Sequence, residues 1–242
     1  MKAIEIKNLT KKYKEHCAVN SLNLSIKKGE FFALLGQNGA GKTTTIKMLC
    51  CLLTATSGDA ILLGDSIINN SEAVKQKINV SPQETAVAPN LTVKENLEMF
   101  AQIYGSNKKQ AKQKASEMIK TFSLSEKANT RAKSLSGGMQ RRLSIALALI
   151  SNPQIIFLDE PTLGLDVRAR RELWKHIKSL KGKITIVLTT HYLEEAEALA
   201  DRIAIMHNGN LQALGTVNEI KEQTNEQSLE EAFLKLTDME VI

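Results

Sequence analysis

The stretch from Phe31 to Leu53 limits what this chain can fold into more than any other. Phe31-Phe32-Ala33-Leu34-Leu35 is a short apolar run after a Gly29-Glu30 turn, the pattern of a buried strand. Gly36-Gln37-Asn38-Gly39-Ala40-Gly41-Lys42-Thr43 then fits G-x-x-x-x-G-K-[ST] at every fixed position. Ile46, Leu49, Leu52 and Leu53 follow near helical spacing. Glycines let backbone N–H groups turn inward around an anion, and the helix that follows points its positive end at it. Lys42 can reach the β- and γ-phosphates of a nucleotide, and the Thr43 hydroxyl can ligate Mg²⁺. Gly36 through Thr43, with Thr44 as the next helix residue, are the expected nucleotide contacts.

At 242 residues, the chain has room for one α/β domain, or for a core with an inserted subdomain. No apolar run approaches the ~18 residues of a membrane span. Met1 to Ile6 lacks the apolar core of a signal peptide. Cys17, Cys50 and Cys51 form no CxxC pair, and the four histidines show no ligand spacing, so a reducing cytosol fits and metal binding by these residues does not. The net charge of +6 is uneven. Ser106 to Arg142 carries ten Lys/Arg against two Glu, a local +8, and Thr216 to Ile242 carries two Lys against seven acids, a local −5. The basic block reads as a solvated helical face, with a surface near anionic lipid headgroups or nucleic acid as the alternative. It holds one aromatic residue, Phe122, so stacking on single-stranded nucleic acid is not expected.

Alternation predicts half-buried strands over residues 3–9 and 21–26, with Tyr13 in the polar link between them, and a further strand from Ala60 to Leu63. These read as antiparallel strands added to the edge of a phosphate-binding core. Residues 71–150 read as mostly helical: a capped helix after Thr92–Glu95, a basic one from Lys109 to Thr121, and one opened by Gly137-Gly138. Ile155-Ile156-Phe157-Leu158-Asp159 and Ile184 to Leu188 are continuous apolar strands, separated by a helix from Val167. Asn208-Gly209 turns a hairpin, and Ser228–Glu231 caps a last helix. Apolar strands alternating with helices imply a parallel sheet with both faces covered, and ligands sit beyond the carboxyl ends of its strands. Gly36, Asp159 and His191 each follow a predicted strand and would converge on one edge. There Asp159 can hold Mg²⁺, and Glu160 can orient or deprotonate a water.

With these residues in place, the chain resembles the ATP-binding subunit of an ABC transporter over nearly its whole length. Leu135-Ser136-Gly137-Gly138-Met139-Gln140 resembles the signature motif, Ile155 to Glu160 Walker B with its catalytic glutamate, and Gly164-Leu165-Asp166 the D-loop. Gln83 resembles the Q-loop glutamine, His191 the switch histidine, and Tyr13 the aromatic residue that stacks on adenine. Leu163, Cys51 and Ala55 depart from common family residues without removing a group the chemistry needs.

The resemblance implies an α/β fold: a P-loop NTPase (RecA-like) core with an N-terminal antiparallel β subdomain and an inserted α-helical subdomain. One cassette would cover 1–242, with 1–82 and 151–242 as nucleotide-binding core and β subdomain, and 83–150 as the helical subdomain. It implies ATP and Mg²⁺ as cofactors, with Thr43, Gln83 and Asp159 at the metal, and Glu160, His191 and Gln83 as the catalytic set. Tyr13, Ser136, Gly137, Gly138 and Asp166 join the phosphate loop as nucleotide contacts, the signature residues closing on the γ-phosphate bound by a second cassette. The implied activity is ATP hydrolysis that powers an exporter of drugs, sodium or lipid-like compounds. Partners would be transmembrane permease subunits and a second copy of the chain or a homologous cassette, with no nucleic acid. The chain would then be cytoplasmic, peripheral on the inner face of the membrane. The alternative is a soluble ABC-type ATPase acting on ribosomes or DNA. A P-loop GTPase would need N-K-x-D, and Asn107-Lys108-Lys109-Gln110 lacks the acid.

Overall fold

The computed structural model describes residues 1–237, so the final five residues of the expected 151–242 segment lie outside it. The chain opens with a long antiparallel hairpin, β1 (Lys2–Tyr13) and β2 (His16–Lys27). Both strands run further than alternation suggested, because register shifts along the pair break the period-2 pattern near the turn. Tyr13 therefore belongs to β1, paired with His16, and not to a polar link. β3 (Phe31–Leu35) leads into α1 (Lys42–Leu49), and β4 (Ser57–Leu62) and β5 (Asp65–Ser66) follow. β2-β1-β4-β5 form a sheet of their own. The front strands are thus not an addition to the edge of the core sheet. Ile4, Ile6, Leu22, Leu24 and Leu62 pack with Ile46 and Leu49 of α1 and with Phe32 and Leu34 of β3, so apolar contact rather than strand pairing joins the two sheets.

After α2 (Ser71–Lys75) comes β6 (Ile78–Ser81), a strand inside the stretch expected to be mostly helical. Four residues give no periodicity long enough to separate strand from helix, and Asn79 is polar because β6 is a sheet edge. Three helices follow, α3 (Val93–Ile103), α4 (Lys108–Thr121) and α5 (Gly137–Leu149). The capping box of Thr92 and Glu95 starts α3 as expected. The chain then alternates through β7 (Ile155–Asp159), α6 (Val167–Lys178), β8 (Thr185–Thr190), α7 (Leu193–Leu199) and β9 (Arg202–His207). It ends with β10 (Asn210–Gly215), α8 (Val217–Thr224) and α9 (Leu229–Thr237). The sequence reading missed α8, although Thr216 and Glu219 form a capping box there.

The second sheet has the order β10-β9-β3-β8-β7-β6, parallel except for the β9–β10 hairpin. Its central strands are buried on both faces, which is why β3 and β7 read as unbroken apolar runs. Phe32 and Leu34 face the first sheet and α1, whereas Ala33 and Leu35 face α7, α8 and α9. Ile156, Leu158, Ile186 and Leu188 share one apolar cluster with α3, α4 and α5. Burying each such side chain is worth about 1.5–3 kcal/mol. That packing fixes four parallel strands whose carboxyl ends deliver Gly36, Gln83, Asp159 and His191 to one edge.

Candidate active site

The loop from Gly36 to Gly41 is shaped by contacts that no side chain fits. A Cβ on Gly36 would lie 2.4 Å from the Met206 carbonyl oxygen, and one on Gly41 2.4 Å from that of Ala18. Gly41 also sits at φ +100, in the left-handed region that favours glycine. It precedes α1, and no side chain caps that helix. The first amides of α1 are therefore available to an anion, with the helix dipole behind them.

Lys42 is 5% exposed, and its ammonium points back over the loop. Nζ donates to the carbonyls of Gly36 (2.8 Å) and Gln37 (3.1 Å) and lies 3.2 Å from Glu160 Oε1. The other carboxylate oxygen, Oε2, lies 2.6 Å from His191 Nδ1. A carboxylate only accepts, so Nδ1 carries the proton and Nε2 is left for another partner. Lysine, glutamate and histidine thus form one continuous chain of polar contacts across the ends of α1, β7 and β8.

Glu160 adopts φ +46. For a residue with a Cβ this conformation costs about 1–3 kcal/mol and persists only when its surroundings over-determine it. They do so here: the Glu160 amide donates to the Thr189 carbonyl (3.1 Å) and to Thr189 Oγ1 (3.0 Å). The same Thr189 hydroxyl donates to Asp159 Oδ1 at 2.5 Å, which also accepts from Thr43 Oγ1 at 3.1 Å. Among the described residues, no hydrogen bond reaches Asp159 Oδ2. A hydroxyl and a carboxylate at the mouth of a phosphate loop are hard oxygen donors, the set Mg²⁺ takes alongside phosphate and water.

Tyr13, Asn38, Lys42, Thr43, Gln83 and Glu160 line one cavity of about 410 Å³. Sequence reasoning missed three more of its walls: His16 and Ala18, because it ended the hairpin strands too early, and Leu163, which it read only as a departure from common family residues. A larger hollow of about 570 Å³, mostly apolar, lies at the opposite ends of the strands beside Gly29, Gln154 and Thr185, away from Lys42, Asp159 and Glu160. Tyr13 is half exposed, with the Lys11 ammonium 5.2 Å from the centre of its ring. Ser136, Gly137, Gly138 and Asp166 do not line the cavity that Lys42 lines. Ser136 caps α5 by accepting from the Met139 amide at 3.3 Å, and Asp166 caps α6 by accepting from Ala169 at 2.9 Å. Ser136, Gly137 and Asp166 are all exposed.

Glu195 was also missed. Its buried carboxylate accepts from Thr162 Oγ1 (3.1 Å) and Trp174 Nε1 (2.9 Å), tying the segment after Glu160 to α7, and burial pushes its pKa up. The available signal was a charged residue at a core position of α7, between His191 and Leu199.

The family model described as "ABC transporter" matches residues 19–163. The probable multidrug ABC transporter ATP-binding protein YbhF of Escherichia coli (strain K12) is 41% identical over 239 residues, which are 96% of this chain and 41% of that one. The chain thus spans well under half the length of that relative. The Nod factor export ATP-binding protein I of Burkholderia orbicola (strain AU 1054) is 40% identical over 221 residues, 90% of this chain and 72% of that one. Among solved structures, the ATP-binding cassette MJ0796, dimeric in a post-hydrolysis state with ADP and phosphate, superposes with a TM-score of 0.79. It is 30% identical, over 88% of this chain and 98% of that one. Neither relative's name points to ribosomes or DNA.

Proposed function

Because the chain belongs to the ABC transporter family, we propose that it is an ATP-binding and ATP-hydrolysing subunit that powers a membrane exporter. The observation that carries this is the Lys42–Glu160–His191 chain laid across an uncapped, glycine-lined helix start. ATP sets its phosphates on the first amides of α1, and Lys42 exchanges loop carbonyls for phosphate oxygens. Drawing Lys42 toward the phosphates frees Glu160 to accept a proton. A water oxygen attacks the γ-phosphorus, its proton passes to Glu160, and the bond to the β,γ-bridging oxygen breaks with its electrons left on ADP. His191, oriented by Glu160, offers its Nε2 side to the γ-phosphate. Thr43 and Asp159, with Gln83 at the cavity wall, would hold Mg²⁺, which neutralises phosphate charge when bound. Tyr13 provides a ring for adenine at the outer end of the cavity.

The signature residues act in trans. Ser136 and Gly137 stand exposed and Gly138 half-buried, outside the cavity of their own chain, as a surface that closes on the nucleotide of a second cassette would. No described helix is long and apolar enough to cross a membrane; the relatives named as export and multidrug ATP-binding proteins support transmembrane permease subunits as the partners that hold the cassettes at the inner face of the membrane. The proposed division takes 1–82 and 151–242 as nucleotide-binding core and β subdomain, with 83–150 as the helical subdomain. Glu160→Gln tests the reading: ATP binding should persist, turnover should fall at least 100-fold, and an ATP-dependent dimer should accumulate on gel filtration. Wild-type turnover, or a monomer under ATP and Mg²⁺, would contradict it.

A further inference from the structure

Arg141 lies on α5, one turn beyond the Ser136–Gly138 loop, and is 4% exposed. No carboxylate pairs with it among the described residues. Its guanidinium donates instead to four backbone carbonyls: Nε to Pro161 at 2.8 Å, Nη2 to Asp159 at 2.8 Å, and Nη1 to Pro82 and to Gln83, the latter at 3.2 Å. The rigid five-donor fork of arginine is the side chain suited to holding several acceptors in fixed relation. Two of these carbonyls, those of Asp159 and Pro161, flank Glu160, the residue held at φ +46. The other two belong to the loop that carries Gln83. One cation thus fixes the backbone beneath both groups that face the cavity from the ends of β7 and β6. Burial lowers its pKa to about 10, so it remains charged at neutral pH.

We infer that Arg141 is a positioning residue for ATP hydrolysis: it aims Glu160 and Gln83 together and ties that aim to the orientation of α5, the helix that starts at Ser136–Gly138. A shift of α5 when its exposed end meets a second cassette then moves both groups at once. The inference rests on the reading of Glu160 as the base.

The test is steady-state ATP hydrolysis by the full chain carrying Arg141→Met or Arg141→Lys, with Glu160→Gln alongside and circular dichroism to check folding. Arg141→Met should lower kcat about 100-fold, the scale of a misplaced catalytic group, and change KM for ATP less than threefold. Arg141→Lys, whose ammonium keeps the charge but not the fork, should recover about tenfold of that loss. Added to Glu160→Gln, Arg141→Met should cost about tenfold or less further, because the part of its effect that runs through Glu160 is already lost and only the part through Gln83 remains. A folded Arg141→Met with wild-type kcat, beside an inactive Glu160→Gln, would overturn the inference alone. So would a further 100-fold loss in the double variant, or loss of fold in both Arg141 variants, which would assign the residue to stability. Wild-type turnover by Glu160→Gln would instead bring down the reading of Glu160, and this inference with it.

Discussion

Two helices of this chain start at glycines, and the two starts are built for different tasks. α1 begins at Lys42 behind Gly41, with no side-chain cap, against the Ala18 carbonyl. α5 begins at Gly137 behind Ser136, which caps it, and a Cβ on Gly137 would meet nothing within 4 Å. Crowding at the first makes Gly36 and Gly41 obligatory for folding and, on the proposed reading, its uncapped amides serve a ligand held in the same chain. At the second, Gly137 is not needed for folding, although a Cβ on Gly138 would lie 3.0 Å from that of Ala169. Its small residues instead leave open a surface where a bulky ligand from outside can approach the helix end. The same residue type therefore carries steric necessity in one place and access in the other.

The largest effect should come from Lys42→Ala. Removing the one ammonium at the loop should lower ATP turnover by about 1,000-fold in a coupled phosphate-release assay. Near-normal turnover would mean that α1 is not the phosphate site. Next comes Gly41→Ala, which must put a Cβ at φ +100 and into a carbonyl oxygen. Urea denaturation should show a loss of about 2–4 kcal/mol. Gly137→Ala should change stability by less than about 1 kcal/mol, and equal costs at the two glycines would erase the contrast drawn above. Ser136→Ala should cost about 1 kcal/mol from the lost cap. Stability unchanged by that substitution would show that the hydroxyl is held for a ligand rather than for its own helix.

Much of this site was legible because its information is local. Gly36 to Thr43 carries its whole geometry in eight consecutive residues, and Asp159 and His191 announce themselves as polar residues ending apolar runs. Gln83 was legible only through its resemblance to the Q-loop glutamine. What places it at the cavity is β6, whose four residues pair with β7 across more than seventy positions of sequence. Thr189 read as one of two threonines at a strand end. Its hydroxyl became meaningful only when β7 and β8 paired Asp159 with Thr189 in register. Arg141 and Glu195 were hidden for a related reason: a charge at a core position of a helix is a local signal, but the partners that give it meaning lie on other elements. The hairpin ends were misread because register shifts interrupt the alternation that signals a strand.

The central claim is that the two glycine starts meet between chains, and mixing two inactive variants tests it most directly. Lys42→Ala removes the phosphate cation, and Gly138→Asp puts an anion where a γ-phosphate must approach. Each alone should be inactive. Mixed in equal amounts and allowed to exchange, about half of the dimers are heterodimers, each with one doubly damaged site and one intact site. ATP hydrolysis should then recover to about a quarter of the wild-type rate. No recovery, with heterodimers confirmed by differently tagged chains, would contradict the shared site.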